Sequence, residues 1–265
     1  TAAAELGIES VPVVAGGGDN ACGALGLGLS DPGEGFVSLG TSGVLFAVSD
    51  RHRPCPEQTV HAFAHAVPNT WHQMTVTLSA AHSLSWLAGV LGRPVPALLE
   101  GLTRSGKVTT PVVFLPYLNG ERSPHNNPDA RGLFFGLSSA TDANDMVLAV
   151  LEGVALSLRD GSAALGQAGT AIERLMAIGG GSRSQQWLQI IANALGLAIH
   201  PLTGVDQGAA LGAARLAMPD QSAAYRKSAT ADPLTPDVST GDYFDQKWAT
   251  YRALYPVCSA AQVGS

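Results

Sequence analysis

The sequence predicts an α/β fold in which a mixed β-sheet is flanked by helices. Short apolar runs that are typical of strands alternate with segments of helical periodicity, and glycine-rich turns separate them. Strands that meet in parallel need crossover segments of this kind, whereas antiparallel neighbours need only a tight turn. The 265 residues are 46% hydrophobic and 14% charged, which is typical of a globular chain and not of a disordered one.

The N-terminal half of the chain contains the elements around the first polar turn. The apolar runs 35–39 and 44–50 predict two strands joined by a tight GTSG turn. A loop rich in Pro, His and Arg follows, and the alternation of apolar and polar residues at 72–78 predicts a further strand. The segment 80–92 predicts a helix closed by Gly92, because glycine readily adopts the left-handed conformation at a helix end.

The C-terminal half begins with a long loop at 115–132 that is dense in Pro, Asn and Gly, and a loop of this length in a compact domain is usually functional. Apolar residues at every fourth position from Met146 predict a long helix with Thr141 or Asp142 as its N-cap. The remaining elements, in order, are a strand at 174–178, a GGGSRS loop, a helix at 185–195 ended by Gly196, a strand at 197–202, a Gly/Ala-rich helix near 206–218, a polar connection at 221–236 and a last helix with Tyr243, Trp248 and Tyr251.

Charge and cysteine content limit the classes of partner. The formal net charge is −6 and the longest basic cluster is Arg226–Lys227, which argues against a nucleic-acid surface. No apolar run approaches the roughly 18 residues of a membrane span, and no basic segment leads into an apolar signal core. Cys22, Cys55 and Cys258 have no C-x-x-C spacing, which suits reduced thiols. We therefore expect a cytoplasmic protein that binds small molecules or protein, with no nucleic-acid or membrane partner.

The first candidate site is the stretch AGGGDNACGALGLG, in which three glycines precede an acid and an amide. Gly16, Gly18 and Ala21 match a dinucleotide-binding fingerprint weakly, because Asp19 would repel a pyrophosphate and no acid ends the next strand. A carboxylate beside an amide can instead orient a hydroxyl and accept its proton, so Asp19 is a candidate general base with Asn20 beside it. The alternative is that Asp19 caps a short helix starting at Asn20.

Two turns are candidates for phosphate binding. In the GTSG turn (residues 40–43), two hydroxyls and glycine-freed N–H groups can hold phosphate oxygens without the lysine of a P-loop, although an ordinary hairpin turn is the alternative. The GGGS turn (residues 179–182) lies between a strand and a helix, where the helix N-terminus favours an anion. A strand-to-helix turn without a ligand is the alternative there.

Other polar and aromatic residues have simpler interpretations. Glu121 and Arg122 either contact substrate or pair with each other, and pairing is the expectation because a buried arginine needs a carboxylate. Among seven histidines only His61 and His65 have i,i+4 spacing, and without an H-E-x-x-H motif they predict no metal site. The four tryptophans are interpreted as packing residues: Trp71, Trp86, Trp187 and Trp248.

Taken together and in this order, the motifs resemble those of the FGGY family of carbohydrate kinases. The matching segments are AGGGDNACGALG at 15–26, SLGTSG at 38–43, WHQMTVTLSAA at 71–81, LPYLNGERSPHNNPDARG at 115–132, GLFFGLSSATDANDMVLAVLE at 132–152 and IGGGSRSQQWLQIIAN at 178–193. The segment at 132–152 fits the family's second signature along its length. Within the family, the resemblance is closest to the members that phosphorylate D-xylulose.

The resemblance implies a ribonuclease H-like domain of the actin and sugar-kinase type, in a protein whose two such domains close over a cleft. It divides the chain into 1–30, the tail of an N-terminal domain with the hinge and the catalytic aspartate; 31–258, the C-terminal ATP-binding domain; and a tail at 259–265. Family members are nearly twice this length and the chain begins at Thr1, so we expect a fragment, inactive alone, whose partner is the missing N-terminal kinase domain. An uncovered apolar domain face leaves a homodimer open.

Residue by residue, the resemblance makes Asp19 the catalytic aspartate and places Asp19 and Asn20 at the sugar. The implied nucleotide-binding residues are Gly40, Thr41 and Ser42 at the terminal phosphates, Gly180, Gly181 and Gln185 around the α-phosphate and adenine, and Ala81 and Ser85 facing the purine. The implied cofactors are ATP and Mg²⁺, with the ion bridging the β- and γ-phosphate oxygens.

The implied activity is ATP-dependent phosphorylation of D-xylulose to D-xylulose 5-phosphate. A kinase for another sugar, polyol or sugar acid stays open, because the residues that choose the sugar lie mostly in the missing domain. A non-catalytic nucleotide-binding, actin-like module is the alternative from another class, although such a module has no need of a base at Asp19. A dinucleotide-dependent dehydrogenase has the least support, because the acid after the second strand is missing.

Overall fold

The computed structural model of the chain describes residues 2–7, 13–203, 208–218, 220 and 225–260. The start of the helix predicted near 206, part of the connection at 221–236 and most of the tail at 259–265 lie outside the described residues. None of the described helices is long and apolar enough to cross a membrane.

The described elements alternate along the chain in the predicted way. The strands are β1 (Glu34–Leu39), β2 (Gly43–Ser49), β3 (His61–Ala64), β4 (Trp71–Thr77), β5 (Val113–Leu115), β6 (Leu133–Phe135), β7 (Arg174–Ile178) and β8 (Ile199–Pro201). The α-helices are α1 (Ala2–Glu5), α2 (Asp19–Leu27), α3 (Ala81–Val90), α4 (Val95–Ser105), α5 (Ala143–Gln167), α6 (Gln185–Leu195), α7 (Gly208–Leu216) and α8 (Gly241–Ala260).

Six strands form one mixed sheet in the order β3-β4-β2-β1-β7-β8, and β5 and β6 form a separate antiparallel pair. From β3 to β1 the neighbours are antiparallel, and the pairs β1–β7 and β7–β8 are parallel. The segment between β1 and β7 includes helices, as a parallel connection requires. The predicted fold class is therefore confirmed.

Alternate residues of β1, β2 and β7 enter two different apolar cores, because successive side chains of a strand point to opposite faces. Val37 and Leu45 lie in the larger core, which includes buried residues of α3, α5 and α6. Phe36 and Phe46 lie in the smaller core on the other face, with Ala24 and Leu27 of α2. The two phenylalanine rings stack with centroids 4.8 Å apart. Helices thus cover both faces of the sheet.

The central helix α5 follows its sequence signals closely. Asp142 is the N-cap: it accepts from the backbone N–H of Asp145, whose own carboxylate accepts from the N–H of Asp142. This capping box resolves the choice between Thr141 and Asp142. Val150, Val154 and most neighbouring side chains are buried, so α5 is the helical centre of the larger core.

The sequence reasoning missed five elements: β3, β5, β6, α1 and α4. The three strands are only three or four residues long, which leaves too few positions for an alternating pattern. Helix α4 did carry a sequence signal, because Leu98 and Leu102 are four residues apart and Gly106 follows at the helix end. In the structure both leucines are buried and Gly106 has φ 65°. The loop predicted at 115–132 contains no regular element from residue 116 onward, but its first residue, Leu115, is the last residue of β5.

Candidate active site

The GTSG turn joins β1 and β2, and its backbone oxygens are held by the start of α3. The carbonyl of Gly40 accepts from the N–H of Ala81 at 2.9 Å, and that of Thr41 from the N–H of Ala80 at 2.9 Å. Ser42 Oγ donates to the carbonyl of Leu78 at 3.4 Å. Thr41 and Ser42 are exposed. The hairpin is confirmed, and its two hydroxyl side chains face solvent from a turn with a fixed backbone.

The GGGS turn lies beside the GTSG turn because β1 and β7 are parallel neighbours. The carboxyl ends of parallel strands meet at one edge of a sheet, and here Ser38 pairs with Ile178 directly before the two turns. Gly179 has φ 88°, and a Cβ atom there would lie 2.9 Å from the carbonyl carbon of Leu39. Glycine is required both for this backbone conformation and for this close approach.

A cavity of about 330 Å³ opens between α3, α4 and the segment that follows β7. Four of the predicted nucleotide-binding residues line it: Ala81, Ser85, Gly180 and Gly181. Gln185 does not line the cavity, although it is the first residue of α6 and follows Ser184, which does. The three predicted residues of the GTSG turn are not in its wall either, but Gly40 is hydrogen-bonded to Ala81.

The cavity wall is mostly apolar. Trp187, which is almost fully buried and donates its indole N–H to the carbonyl of Leu151 at 3.1 Å, forms part of the wall together with α4. An apolar slot of this size suits a planar aromatic ring, and the exposed Arg183 is the one charged side chain in the described wall. Sequence reasoning missed Arg183 and all the wall residues from α4: Val95, Pro96 and Leu99.

A second cavity, of about 650 Å³, lies between α6 and the segment before α8. Its wall includes the amides Gln186, Gln189 and Asn193. None of the residues predicted for the site lines it, so the larger volume does not mark the candidate site.

Asp19 is exposed at the first position of α2. The N-cap of α2 is Gly18, and Asp19 is already inside the helix. The alternative in which Asp19 caps a helix that starts at Asn20 is therefore wrong. The carboxylate accepts instead from the backbone N–H of Asn20 at 2.8 Å and from its side-chain amide at 3.3 Å. A carboxylate is stabilised at the positive end of a helix dipole. Asp19 does not line the 330 Å³ cavity.

The expected pairing of Glu121 with Arg122 is wrong. Arg122 is exposed, and the Glu121 carboxylate accepts from Thr77 Oγ1 at 2.6 Å and from the backbone N–H groups of Leu78 and Arg122 at 2.9 and 2.8 Å. Burial raises the pKa of Glu121 to about 7, although these donors act in the opposite direction. The arginine is not buried, so the reason for expecting an ion pair does not apply.

Several histidines and tryptophans take part in strands, ring packing and hydrogen bonds within the fold. His61 lies in β3, and His65 Nε2 donates to the carbonyl of Leu29 at 3.1 Å. Within the described ranges, no group of three or more His, Cys, Asp or Glu residues is arranged to hold a metal ion. Trp86 stacks against aromatic rings of β5 and β6, and Trp248 donates to Asp160 at 2.8 Å. The three cysteines are unpaired.

The fold and the paired turns agree with the comparison to known families. Residues 35–219 match the model of the C-terminal domain of the FGGY family of carbohydrate kinases. The chain therefore belongs to this family, and the resemblance seen in the motifs is confirmed.

The relatives point to one branch of the family. The chain is 45% identical over 259 residues to the xylulose kinase of Escherichia coli K12, covering 94% of this chain and 53% of the relative. It is 49% identical over 206 residues to that of Klebsiella pneumoniae, covering 77% and 42%. The crystal structure of a "xyloylose kinase" from Brucella ovis superposes with a TM-score of 0.91 at 46% identity, over 97% of this chain and 54% of that one. The chain thus spans about half the length of these relatives.

Proposed function

We propose that this chain supplies the nucleotide-binding side and the general base of an ATP-dependent kinase that converts D-xylulose to D-xylulose 5-phosphate. The names of the relatives at 45% and 49% identity support this substrate. The division into 1–30, 31–258 and 259–265 is part of the proposal, as is the N-terminal kinase domain that completes the cleft.

One observation carries the nucleotide-binding part: the parallel pairing of β1 with β7 brings the GTSG and GGGS turns together beside an apolar cavity. In the proposal the purine enters the cavity past Ala81 and Ser85. The α-phosphate lies at Gly180 and Gly181, with Gln185 following at the start of α6. The terminal phosphates lie at the GTSG turn, where the hydroxyls of Thr41 and Ser42 are exposed.

Asp19 is proposed to act on the sugar with Asn20 beside it. The terminal hydroxyl of the ketose attacks the γ-phosphorus, the bond to the bridging oxygen of ADP breaks, and Asp19 accepts the hydroxyl proton. Little covalent chemistry falls to the protein in such a transfer, so positioning and charge neutralisation are its main contributions. The exposed carboxylate at the N-terminus of α2 supports this role.

The proposal includes a magnesium ion that arrives with the nucleotide. Mg²⁺ usually takes one or two carboxylates and completes its shell with phosphate oxygens and water. Asp19 is assigned to the sugar hydroxyl, and the described residues build no cluster of three protein ligands, so the phosphate oxygens and water would hold the ion. When bound, the ion neutralises charge on the β- and γ-phosphates.

The test uses a protein that contains this chain together with the half that its relatives carry. Phosphoryl transfer from ATP is measured with D-xylulose and with a panel of other ketoses, polyols and sugar acids. We expect Asp19→Asn to lower kcat by about 10²–10⁴-fold, because the general base is lost. Asp232→Asn, at another exposed aspartate, is the matched control.

Near-full turnover of the Asp19→Asn protein would remove Asp19 from the reaction. A preference for another panel member would replace D-xylulose as the substrate and leave the kinase assignment intact. Binding of nucleotide without transfer to any acceptor would support a non-catalytic module.

A further inference from the structure

Glu121 is a buried carboxylate that forms no ion pair with the described residues. It is 2% exposed, and the described part of the chain contains no lysine, arginine or histidine that forms an ion pair with it. Its four hydrogen-bond donors are the hydroxyls of Thr77 and Ser157 and the backbone N–H groups of Leu78 and Arg122. Burying a charge is costly unless it is fully hydrogen-bonded, so this group needs its donors in place.

The donors of Glu121 belong to the segment that holds the GTSG turn. Thr77 is the last residue of β4 and pairs with Gly43 of the turn. Leu78 comes next, and its carbonyl accepts from Ser42 Oγ. Ala80 and the two residues after it donate their N–H groups to the carbonyls of the turn. Glu121 therefore holds the connection between β4 and α3 by hydrogen bonds. This connection in turn holds the backbone of the GTSG turn by its own hydrogen bonds.

We propose that Glu121 is a positioning residue for the terminal phosphates of the bound nucleotide. It sets the backbone of the GTSG turn through Thr77 and Leu78 and does not itself touch the nucleotide. The inference rests on the proposed function, because it takes the GTSG turn as the site of those phosphates. The α-phosphate and purine lie elsewhere in that proposal, at the GGGS turn and the cavity.

This division between the two ends of the nucleotide defines the experiment. Binding of ADP and of AMP to the 265-residue chain is measured by calorimetry in the presence of Mg²⁺. AMP lacks the terminal phosphate, so the ratio of the two affinities reports on the GTSG turn. We expect Glu121→Ala to weaken ADP binding roughly tenfold while AMP binding changes little.

Two further variants separate hydrogen bonding from folding. Glu121→Gln retains an oxygen for the two N–H donors and presents an amide to the two hydroxyls, so it should restore the wild-type ratio. Thr77→Val removes only the 2.6 Å bond and should lower the ratio by a smaller factor, which keeps the proposal testable if Glu121→Ala does not fold.

Glu152→Ala is the control, because Glu152 is also a buried glutamate but is bonded to Tyr243 and Lys247 of α8. It should lower the thermal stability and leave the ADP-to-AMP ratio unchanged. An unchanged ratio in both Glu121→Ala and Thr77→Val would overturn the inference, as would an equal loss in Glu121→Gln. If the wild-type chain binds neither nucleotide, the proposed nucleotide site itself fails.

Discussion

At the scale of single residues, two histidines are buried as neutral rings. His65 uses both ring nitrogens: Nε2 donates to the carbonyl of Leu29 at 3.1 Å, and Nδ1 accepts from the N–H of Val67 at 3.2 Å. His72 stacks on Phe46 with centroids 4.6 Å apart, and its Nδ1 has no hydrogen-bond partner among the described residues. Burial lowers the pKa of each histidine from 6.5 to about 4.

This burial predicts an acid-sensitive contribution to stability. Below pH 6.5 the unfolded chain binds protons at these rings that the folded chain does not bind until about pH 4, so the histidine contribution is full above pH 6.5 and is lost as the pH falls through this window. Glu121, whose pKa is raised to about 7, acts in the opposite direction, so the histidine contribution is obtained by comparing the wild type with a histidine variant. Each histidine should cost roughly 1 kcal/mol of unfolding free energy by about pH 5.5. Urea unfolding between pH 7.5 and about 5 measures the loss.

His72→Phe should remove about a third of the histidine contribution, because burial also lowers the pKa of His125 to about 4 and phenylalanine at 72 retains the stacking on Phe46 but cannot be protonated. His52→Phe is the matched control, since His52 is exposed. The same dependence on pH in His72→Phe and in the wild type would contradict the assignment of the acid sensitivity to this ring.

At the scale of secondary-structure elements, the closest packing joins α2 to α7. A Cβ atom at Gly212 would lie 1.7 Å from the carbonyl oxygen of Cys22, and one at Gly26 would lie 2.0 Å from that of Gly208. Arg215 of α7 also donates to the carbonyl of Leu25 at 2.8 Å. The position of α2, and with it the position of Asp19, therefore depends on backbone contact with α7.

Gly212→Ala should separate the two helices and destabilise the fold by about 1–3 kcal/mol, as overpacking of a close contact does. Gly23→Ala is the control within α2, because a Cβ atom there meets nothing within 4 Å and alanine favours a helix. Chemical denaturation of both variants measures the difference. A Gly212→Ala protein as stable as Gly23→Ala would show that the helices can move apart freely.

At the scale of the whole molecule, α8 is fastened across the fold to α5 by a buried ion pair. Glu152 is fully buried, and it is bonded to Lys247 and to the hydroxyl of Tyr243. Burial is the largest influence on both charged groups, raising the pKa of Glu152 and lowering that of Lys247. Lys247 also donates to the carbonyl of Thr110 at 2.7 Å, so the helix is bonded to the segment before β5 as well.

Lys247→Met should cost about 3–5 kcal/mol, because it leaves a buried carboxylate unpaired. The double variant Glu152→Leu with Lys247→Met should be more stable than Lys247→Met, since no uncompensated charge remains. Thermal and urea unfolding of the two single variants and of the double variant complete the double-mutant cycle. Additive losses in the double variant would contradict the coupling. Lys107→Met, at a more exposed lysine, should cost less than Lys247→Met.

Much of the fold was predictable from local patterns. The capping box at Asp142, the hairpin around the GTSG turn and the helix end at Gly196 follow from neighbouring residues, and the structure contains all three. The ordered motifs also identified the family, which the match over residues 35–219 confirms. The roles of Asp19 and of the nucleotide-binding residues stay predictions.

Sequence alone thus determined the types of the longer elements, the family and the candidate residues, because periodicity, capping and turn chemistry act between near neighbours. Only the tertiary structure decided that β1 lies beside β7 and that the two glycine turns share one edge. It also decided that α4 completes the cavity wall and that Glu121 bonds to the end of β4 rather than to Arg122. These contacts join residues far apart in the chain, and the burial of two cores selects them collectively.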